Sequence, residues 1–273
     1  MAEWNKILSR GNVQDRRGLG NTARYGGGAS LLGIALLLLV NYINGGNVSD
    51  VLPQIEQQLQ VSPQQNLNSA DFEGTDEYEV FTATVLGSLN DMWSDVFARN
   101  NATYIPPTLV LFRGGTESEC GGATSQVGPH YCPLDRTIYL DETFFEELQN
   151  RFGAQGGDVA EAYVIAHEVG HHVQQQLNTL RTTDNETSIK VELQADCFAG
   201  LWANSIKDIG VFNTNEIQEA LDAAAAVGDD RIQKASVGRV NPESWTHGSS
   251  KDRVYWFTQG FDTGKISSCD TFQ

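Results

Sequence analysis

The sequence has few basic side chains for its size. Its 273 residues include 18 Lys and Arg against 35 Asp and Glu, which gives a formal net charge of −17. Binding to nucleic acid depends on clustered Lys and Arg that neutralise phosphates, so this balance argues against a nucleic-acid partner. Cysteine is also scarce, with four residues and no Cys-x-x-Cys pair, so a metal site built from cysteines is not expected.

Long apolar runs are limited to one stretch, ASLLGIALLLLVNYI, at residues 29–43. As a helix this run would span roughly 22 Å, which is short for a bilayer core of about 30 Å. A leucine-rich run with no polar face favours a transmembrane anchor over a buried core helix. A cleaved signal peptide is the other alternative, but no suitable small-residue cleavage site follows the run.

Charge on the two sides of the apolar run predicts its orientation. The first 43 residues carry five basic and two acidic side chains, whereas the rest of the chain is strongly acidic. Because Lys and Arg stay on the cytoplasmic side, we predict a single-pass protein of the cell membrane with its N-terminus in the cytoplasm. The predicted organisation is a basic cytoplasmic tail without its own core at 1–28, the anchor at 29–43, a flexible polar linker at 44–75 and an extracytoplasmic domain at 76–273.

Periodicity predicts that this domain is α+β and mainly helical, with a small β-sheet. Helical patterns occupy 76–100, 142–152, 158–177, 189–206 and three later segments, with predicted caps at Asp158, Thr214, Asp229 and Ser249. Buried strands are predicted at 109–112 and 137–140. Residues 114–136 form either a sheet edge that accepts an extended substrate or a hairpin with a structural role only.

The four cysteines, Cys120, Cys132, Cys197 and Cys269, all follow the apolar run. Their even number suits an oxidising compartment. A bridge between Cys120 and Cys132 would close a short, turn-rich loop, and Cys197 would then pair with Cys269. Sequence alone allows three pairings, and buried free thiols are the alternative.

The stretch AYVIAHEVGHHVQQQL, at residues 162–177, contains the H-E-x-x-H motif HEVGH. Histidines four positions apart project from the same face of a helix, where His167 and His171 can hold one Zn²⁺. Glu168 lies beside them as the candidate general base for hydrolysis of a peptide bond. His172 points about 100° away from His171 around the helix and is not expected to share the metal.

A catalytic zinc needs a third protein ligand and keeps one open position. Glu192, 21 residues after His171, can return on a second helix to supply that ligand. Asp196 lies four residues further along the same face and can accept the spare N–H of a ligand histidine. Both acids could instead be solvated helix residues.

Further polar residues could act near this site. His247, in WTHGSSKDR, is the candidate donor to the oxyanion, with Tyr163 or Tyr255 as weaker candidates, and an ordinary buried or capping histidine is the alternative for His247. Arg253 could form a salt bridge with Asp196 and only hold the C-terminal helix in place. We interpret His130, in the cysteine-flanked loop, as a structural or surface residue.

Several segments together resemble one known family. HEVGHH, ELQADCFAGLWA, GPHYCPLD, THGSS and the closing CDTF are similar to the neutral zinc metallopeptidase family of bacterial single-pass membrane proteins. The resemblance runs nearly from end to end and includes NVQDRRG and the GGG before the apolar run. It implies a zincin-like pair of active-site helices and one Zn²⁺ per chain, with His167, His171 and Glu192 as ligands and Glu168 as catalyst.

The sequence therefore favours a membrane-anchored zinc metallopeptidase that acts on a protein or peptide. A zinc-containing binding or scaffold module without proteolytic activity is the main alternative, and a hydrolase of non-peptide substrates is a third. Only the first is favoured by a complete set of ligands plus a base, because a structural zinc normally closes its fourth position with protein.

Overall fold

The computed structural model describes residues 1–18, 76–124, 128–213 and 215–272. Met1–Arg16 and Phe72–Gln273 form one structural unit, and the second unit, Arg17–Asp71, lies almost wholly outside the described residues. The predicted anchor, the whole of the predicted linker and the predicted cap at Thr214 also lie outside them. Among the helices that are described, none is long and apolar enough to cross a bilayer.

Helices dominate the described residues and confirm the prediction of a mainly helical α+β fold. The α-helices are α1 (Glu77–Arg99), α2 (Thr143–Phe152), α3 (Asp158–Gln176), α4 (Asn185–Ile206), α5 (Ile217–Ala226), α6 (Asp229–Val237) and α7 (Ser250–Thr263). The strands are β1 (Val13–Asp15), β2 (Thr108–Phe112), β3 (Gly115–Ser118), β4 (Gly121–Thr124), β5 (His130–Cys132) and β6 (Thr137–Asp141).

Side-chain caps begin three of these helices. Asp76 accepts a hydrogen bond from the backbone N–H of Glu79 before α1, and Asp184 forms a capping box with Thr187 before α4. Ser249 accepts from the N–H of Asp252 before α7, as predicted. Such bonds satisfy N–H groups that have no partner within the helix.

Two predicted caps are wrong. Gly157 and Gly228 occupy the N-cap positions of α3 and α6, and Asp158 and Asp229 are the first residues inside these helices. Their carboxylates accept hydrogen bonds from distant segments instead, the N-terminal segment for Asp158 and the loop before α7 for Asp229. Contacts with distant parts of the chain outweigh the local capping bond at both positions.

Four strands form a sheet in the order β1–β2–β6–β5. β1 and β6 are both parallel to β2, and β5 is antiparallel to β6. The predicted strands are β2 and β6, which are buried along nearly their whole length, as expected for central strands covered on both faces. β3 and β4 form a separate hairpin and β5 is an edge strand, and the binding of an extended substrate to this edge stays a prediction.

Residues 1–16 belong to the folded unit, so the prediction that 1–28 form a tail without a core is wrong for them. Val13 is buried within β1, and the ring of Trp4 stacks on Trp202 of α4 at 6.3 Å between centroids. A strand of three residues in a polar segment carries too little periodicity to be detected. Paired strands lie in the same compartment, so β1 does not fit the predicted separation of this segment from the domain by a membrane.

Glycines bring three helices into close contact. A Cβ on Gly170 of α3 would come within 3.0 Å of the Cα of Ala195 on α4. Gly200 of α4 and Gly260 of α7 are even closer, because a Cβ on Gly260 would lie 2.0 Å from the carbonyl oxygen of Cys197. Side chains on α3, α4 and α7 can therefore meet at short range.

Two disulfides confirm the predicted pairing. Cys120 is bonded to Cys132 with Cα atoms 5.8 Å apart, and Cys197 to Cys269 with Cα atoms 5.5 Å apart. The first links the β3–β4 hairpin to the edge strand β5. The second ties α4 to the C-terminal end of the chain.

Candidate metal centre

Three side chains from α3 and α4 converge on one point. The Nε2 atom of His167 lies 3.2 Å from Oε2 of Glu192, and Nε2 of His171 lies 3.4 Å from Oε1 of Glu192. Donor atoms at about 2.1 Å from a tetrahedral zinc are about 3.4 Å from one another. One donor atom from each of the three residues lies within 4.8 Å of the other two, so two imidazoles and one carboxylate could hold a single Zn²⁺.

The Nδ1 atoms of His167 and His171, which do not face Glu192, each lie next to a hydrogen-bond acceptor. Nδ1 of His167 lies 2.8 Å from a carboxylate oxygen of Asp196, and Nδ1 of His171 lies 2.9 Å from Oε1 of Gln174. An acceptor at Nδ1 fixes the proton there and leaves Nε2 free to bind a metal. The sequence predicted Asp196 in this position. It did not single out Gln174, although its spacing three residues after His171 is a helical neighbour spacing.

Asp196 is the centre of a buried polar network and is fully inaccessible to solvent. Besides His167, it accepts hydrogen bonds from the hydroxyl of Tyr163 at 2.5 Å and from Nε of Arg253 at 2.8 Å. Burial raises the pKa of Asp196, but Arg253 and His167 outweigh burial and hold the pKa below its ordinary value. The structure contains the salt bridge predicted between Arg253 and Asp196.

Electrostatics favour the charged forms of His167 and Glu192 before a metal binds. Burial lowers the pKa of His167, but Asp196 and Glu192 outweigh burial and raise the pKa to about 9. Burial raises the pKa of Glu192, but His171, His167 and Arg253 outweigh it and hold the pKa well below its ordinary value. Glu192 is therefore ionised, whereas His167 must lose a proton to bind Zn²⁺, so zinc binding strengthens as the pH rises.

A cavity of about 530 Å³ opens over the three donors. Glu168 is 7% exposed and lines this cavity together with the three donor residues. His247 lines the same cavity, and its Nδ1 lies 3.2 Å from Oδ1 of Asp229. The hydrogen bond to Asp229 raises the pKa of His247 and so favours the protonated imidazole.

The profile of the family described as "Putative neutral zinc metallopeptidase" matches residues 2–272. The chain belongs to this family. The uncharacterized protein YpfJ of Escherichia coli strain K12 is 41% identical in an alignment of 284 positions that covers 98% of each chain. The uncharacterized protein Rv2575 of Mycobacterium tuberculosis strain H37Rv is 48% identical over 185 residues, 62% of this chain and 63% of that protein. No solved structure matches the chain.

Family membership agrees with the donor set. A zinc peptidase family implies Zn²⁺, and the structure offers His167, His171 and Glu192 as the group that could bind it. The match covers nearly the whole chain and includes β1 as well as the metal helices. It confirms the family that the sequence motifs indicated.

The two other histidines of this region are His130 and His172. His130 of β5 lines the cavity and stacks on Tyr139 with 5.4 Å between ring centroids, and its interpretation as a structural or surface residue did not foresee a place at the cavity. His172 does not join the donors, as expected. Its ring nitrogens lie 2.9 Å from the hydroxyl of Tyr131 and 2.6 Å from the carbonyl oxygen of Ile105, and burial lowers its pKa to about 4.

Proposed function

We propose that the protein is a zinc-dependent metallopeptidase that hydrolyses peptide bonds. The observation that carries the proposal is the cavity in which Glu168 lies beside the donor set of His167, His171 and Glu192. A structural zinc is normally enclosed by four protein ligands. Within the described parts of the chain the donor group has three members and faces a cavity, which leaves room for a substrate.

The roles of the side chains follow from their positions. When bound, Zn²⁺ supplies Lewis acidity, which lowers the pKa of water and polarises a carbonyl group. The Glu168 carboxylate accepts a proton from the water that attacks the scissile carbonyl and delivers it to the leaving amine. His247, whose protonated form is favoured by Asp229, donates an N–H to the developing oxyanion.

We also propose that the protein acts outside the cytoplasm and is attached to the membrane through residues 29–43. Two disulfides support an oxidising compartment. The apolar composition of 29–43 supports the attachment. Because β1 pairs with β2, the proposal assigns residues 1–16 to the same compartment as the active site and does not retain a cytoplasmic N-terminus.

The Glu168→Gln variant tests the peptidase function. We expect it to bind one Zn²⁺ per chain and to cleave peptides about 10²–10⁴-fold more slowly, since only the general base is lost. Glu186→Gln, an exposed acid on α4, is the matched control and should leave both properties unchanged. Zinc content is measured by elemental mass spectrometry, and cleavage by chromatography of casein peptides.

The same measurements separate the alternatives. Purified protein without zinc affinity, or equal cleavage by the wild type and Glu168→Gln, would contradict the proposal. A zinc-loaded wild type that cleaves nothing would support a binding or scaffold module instead.

A further inference from the structure

Apolar side chains line much of the cavity over the metal centre and form what is called its apolar wall below. They come from α2, α3, α4, α6 and two connecting segments, so the apolar lining is not the face of one helix. The residues are Phe144, Val164, Leu180, Val191, Val227 and Ile232. Val164 lies one helical turn before His167 and Val191 directly precedes Glu192, so the apolar wall begins at the metal donors themselves.

Part of this wall remains open to a ligand. Phe144, Leu180, Val227 and Ile232 are each only partly buried. Covering apolar surface is favourable by about 25 cal/mol per Å². A large apolar side chain of a substrate, placed beside the scissile bond, would cover this surface, whereas a charged side chain would lose its hydration there.

The basic side chain in the described part of the cavity wall already has hydrogen-bond partners within the protein. Arg253 is the single Lys or Arg in that part of the wall and is 3% exposed. Its guanidinium donates to Asp196, to the Tyr163 hydroxyl and to the carbonyl oxygen of Val227. It therefore has no exposed face for the carboxylate at the end of a peptide.

The two acids of the described wall both have roles at the metal centre. Glu192 belongs to the metal donors, and Glu168 is the proposed general base. A peptide bound by its N-terminal ammonium would need a further carboxylate, because an unpaired buried charge is strongly unfavourable. The described residues of the wall include no other Asp or Glu.

We propose that the enzyme cleaves internal peptide bonds next to a large apolar residue and does not trim chain ends. This inference rests on the proposed peptidase function. The apolar wall selects the residue beside the scissile bond. In the described part of the wall, Arg253 and the two glutamates are committed to other contacts or roles and His247 is assigned to the oxyanion, so none of them is left for a free terminus.

Synthetic decapeptides test the inference with the zinc-loaded full chain. One set has an acetylated N-terminus and an amidated C-terminus and carries Leu, Phe, Ala, Glu or Lys at its centre, and a second set has free termini. We expect cleavage at the centre, with kcat/KM at least about tenfold higher for Leu and Phe than for Ala, Glu and Lys. Blocking the termini should not slow cleavage.

Stepwise loss of terminal residues, a requirement for a free terminus, or equal rates across the central residues would overturn the inference. These outcomes would leave the peptidase function intact. A zinc-loaded chain that cleaves none of the peptides would instead refute the peptidase function, and the inference with it.

Substitutions in the wall locate the selective surface. Ile232→Ala should reduce the preference for Leu over Ala about tenfold at unchanged zinc content, and Ile232→Leu, which keeps the volume, should retain it. Ile209→Ala, at an exposed isoleucine outside the cavity, is the matched control and should behave as the wild type. If Ile232→Ala and Val227→Ala both retain the full preference, the wall does not select the substrate and the inference fails.

Discussion

The Asp196→Asn substitution tests how the buried network supports the metal centre. The change keeps the shape of the side chain and removes its charge. Arg253, which is 3% exposed, then loses the carboxylate that its Nε and Nη2 contact at 2.8 and 3.0 Å. Removing one partner of a buried ion pair costs about 3–5 kcal/mol, so we expect the free energy of unfolding to fall by that amount.

Zinc binding should weaken for a different reason. The carboxylate of Asp196 accepts the Nδ1 proton of His167, which orients the ring and makes its Nε2 a better ligand. An amide oxygen is a weaker acceptor. We expect zinc affinity to fall about 10–100-fold, as is typical when the partner of a ligand histidine is lost.

The double variant Asp196→Asn/Arg253→Met separates the two effects. Urea unfolding of the zinc-free protein measures stability, and competition with a chelator measures zinc affinity. With both charges removed, most of the lost stability should return, since replacing a whole buried pair costs little. Zinc affinity should stay low, because the carboxylate is still missing. A double variant as unstable as the single one, or unchanged zinc affinity in Asp196→Asn, would refute this reasoning.

Three further predictions concern other parts of the structure. His247→Gln should lower kcat about 10²–10³-fold at unchanged zinc content, measured by steady-state kinetics on a cleaved peptide. His172 has a pKa of about 4 when folded against 6.5 ordinarily, so the unfolded chain takes up the proton first. Stability should therefore fall by about 3 kcal/mol as the pH drops from 6.5 to 4, and urea titrations should show a smaller fall in His172→Gln. Val13→Asp should lower stability by more than about 2 kcal/mol, because it buries a charge in β1, whereas Gln14→Asp on the same strand should cost less than about 1 kcal/mol.

The donor residues could be predicted from the sequence because they lie at short, regular spacings within two predicted helices. His167 and His171 are four residues apart on a strongly apolar helix, and Glu192 and Asp196 repeat this spacing on the next helix. A periodic pattern of this kind specifies which side chains share a face. Once both helices were predicted, the side chains that could meet were few.

The missed features depend on contacts between distant segments. Asp229 was predicted as a helix cap, but its carboxylate binds the backbone N–H groups of Thr246 and His247. Asp158 was also predicted as a cap, but it accepts hydrogen bonds from the N–H of Ala2 and from Nε1 of Trp4. Each aspartate suits both roles, and only the tertiary arrangement decides between them.

The parallel pairing of β1 with β2 means that the first residues are held by noncovalent contacts as well as by the chain that follows them. A single cut between residues 19 and 75 would leave two polypeptides that still share one sheet. A truncated chain that begins at residue 76 would lack β1, and β2 would become an open edge prone to pairing with other molecules. A separate peptide of residues 1–18 should bind that edge and restore the four-stranded sheet, so we expect the folded protein to assemble from two pieces by strand complementation.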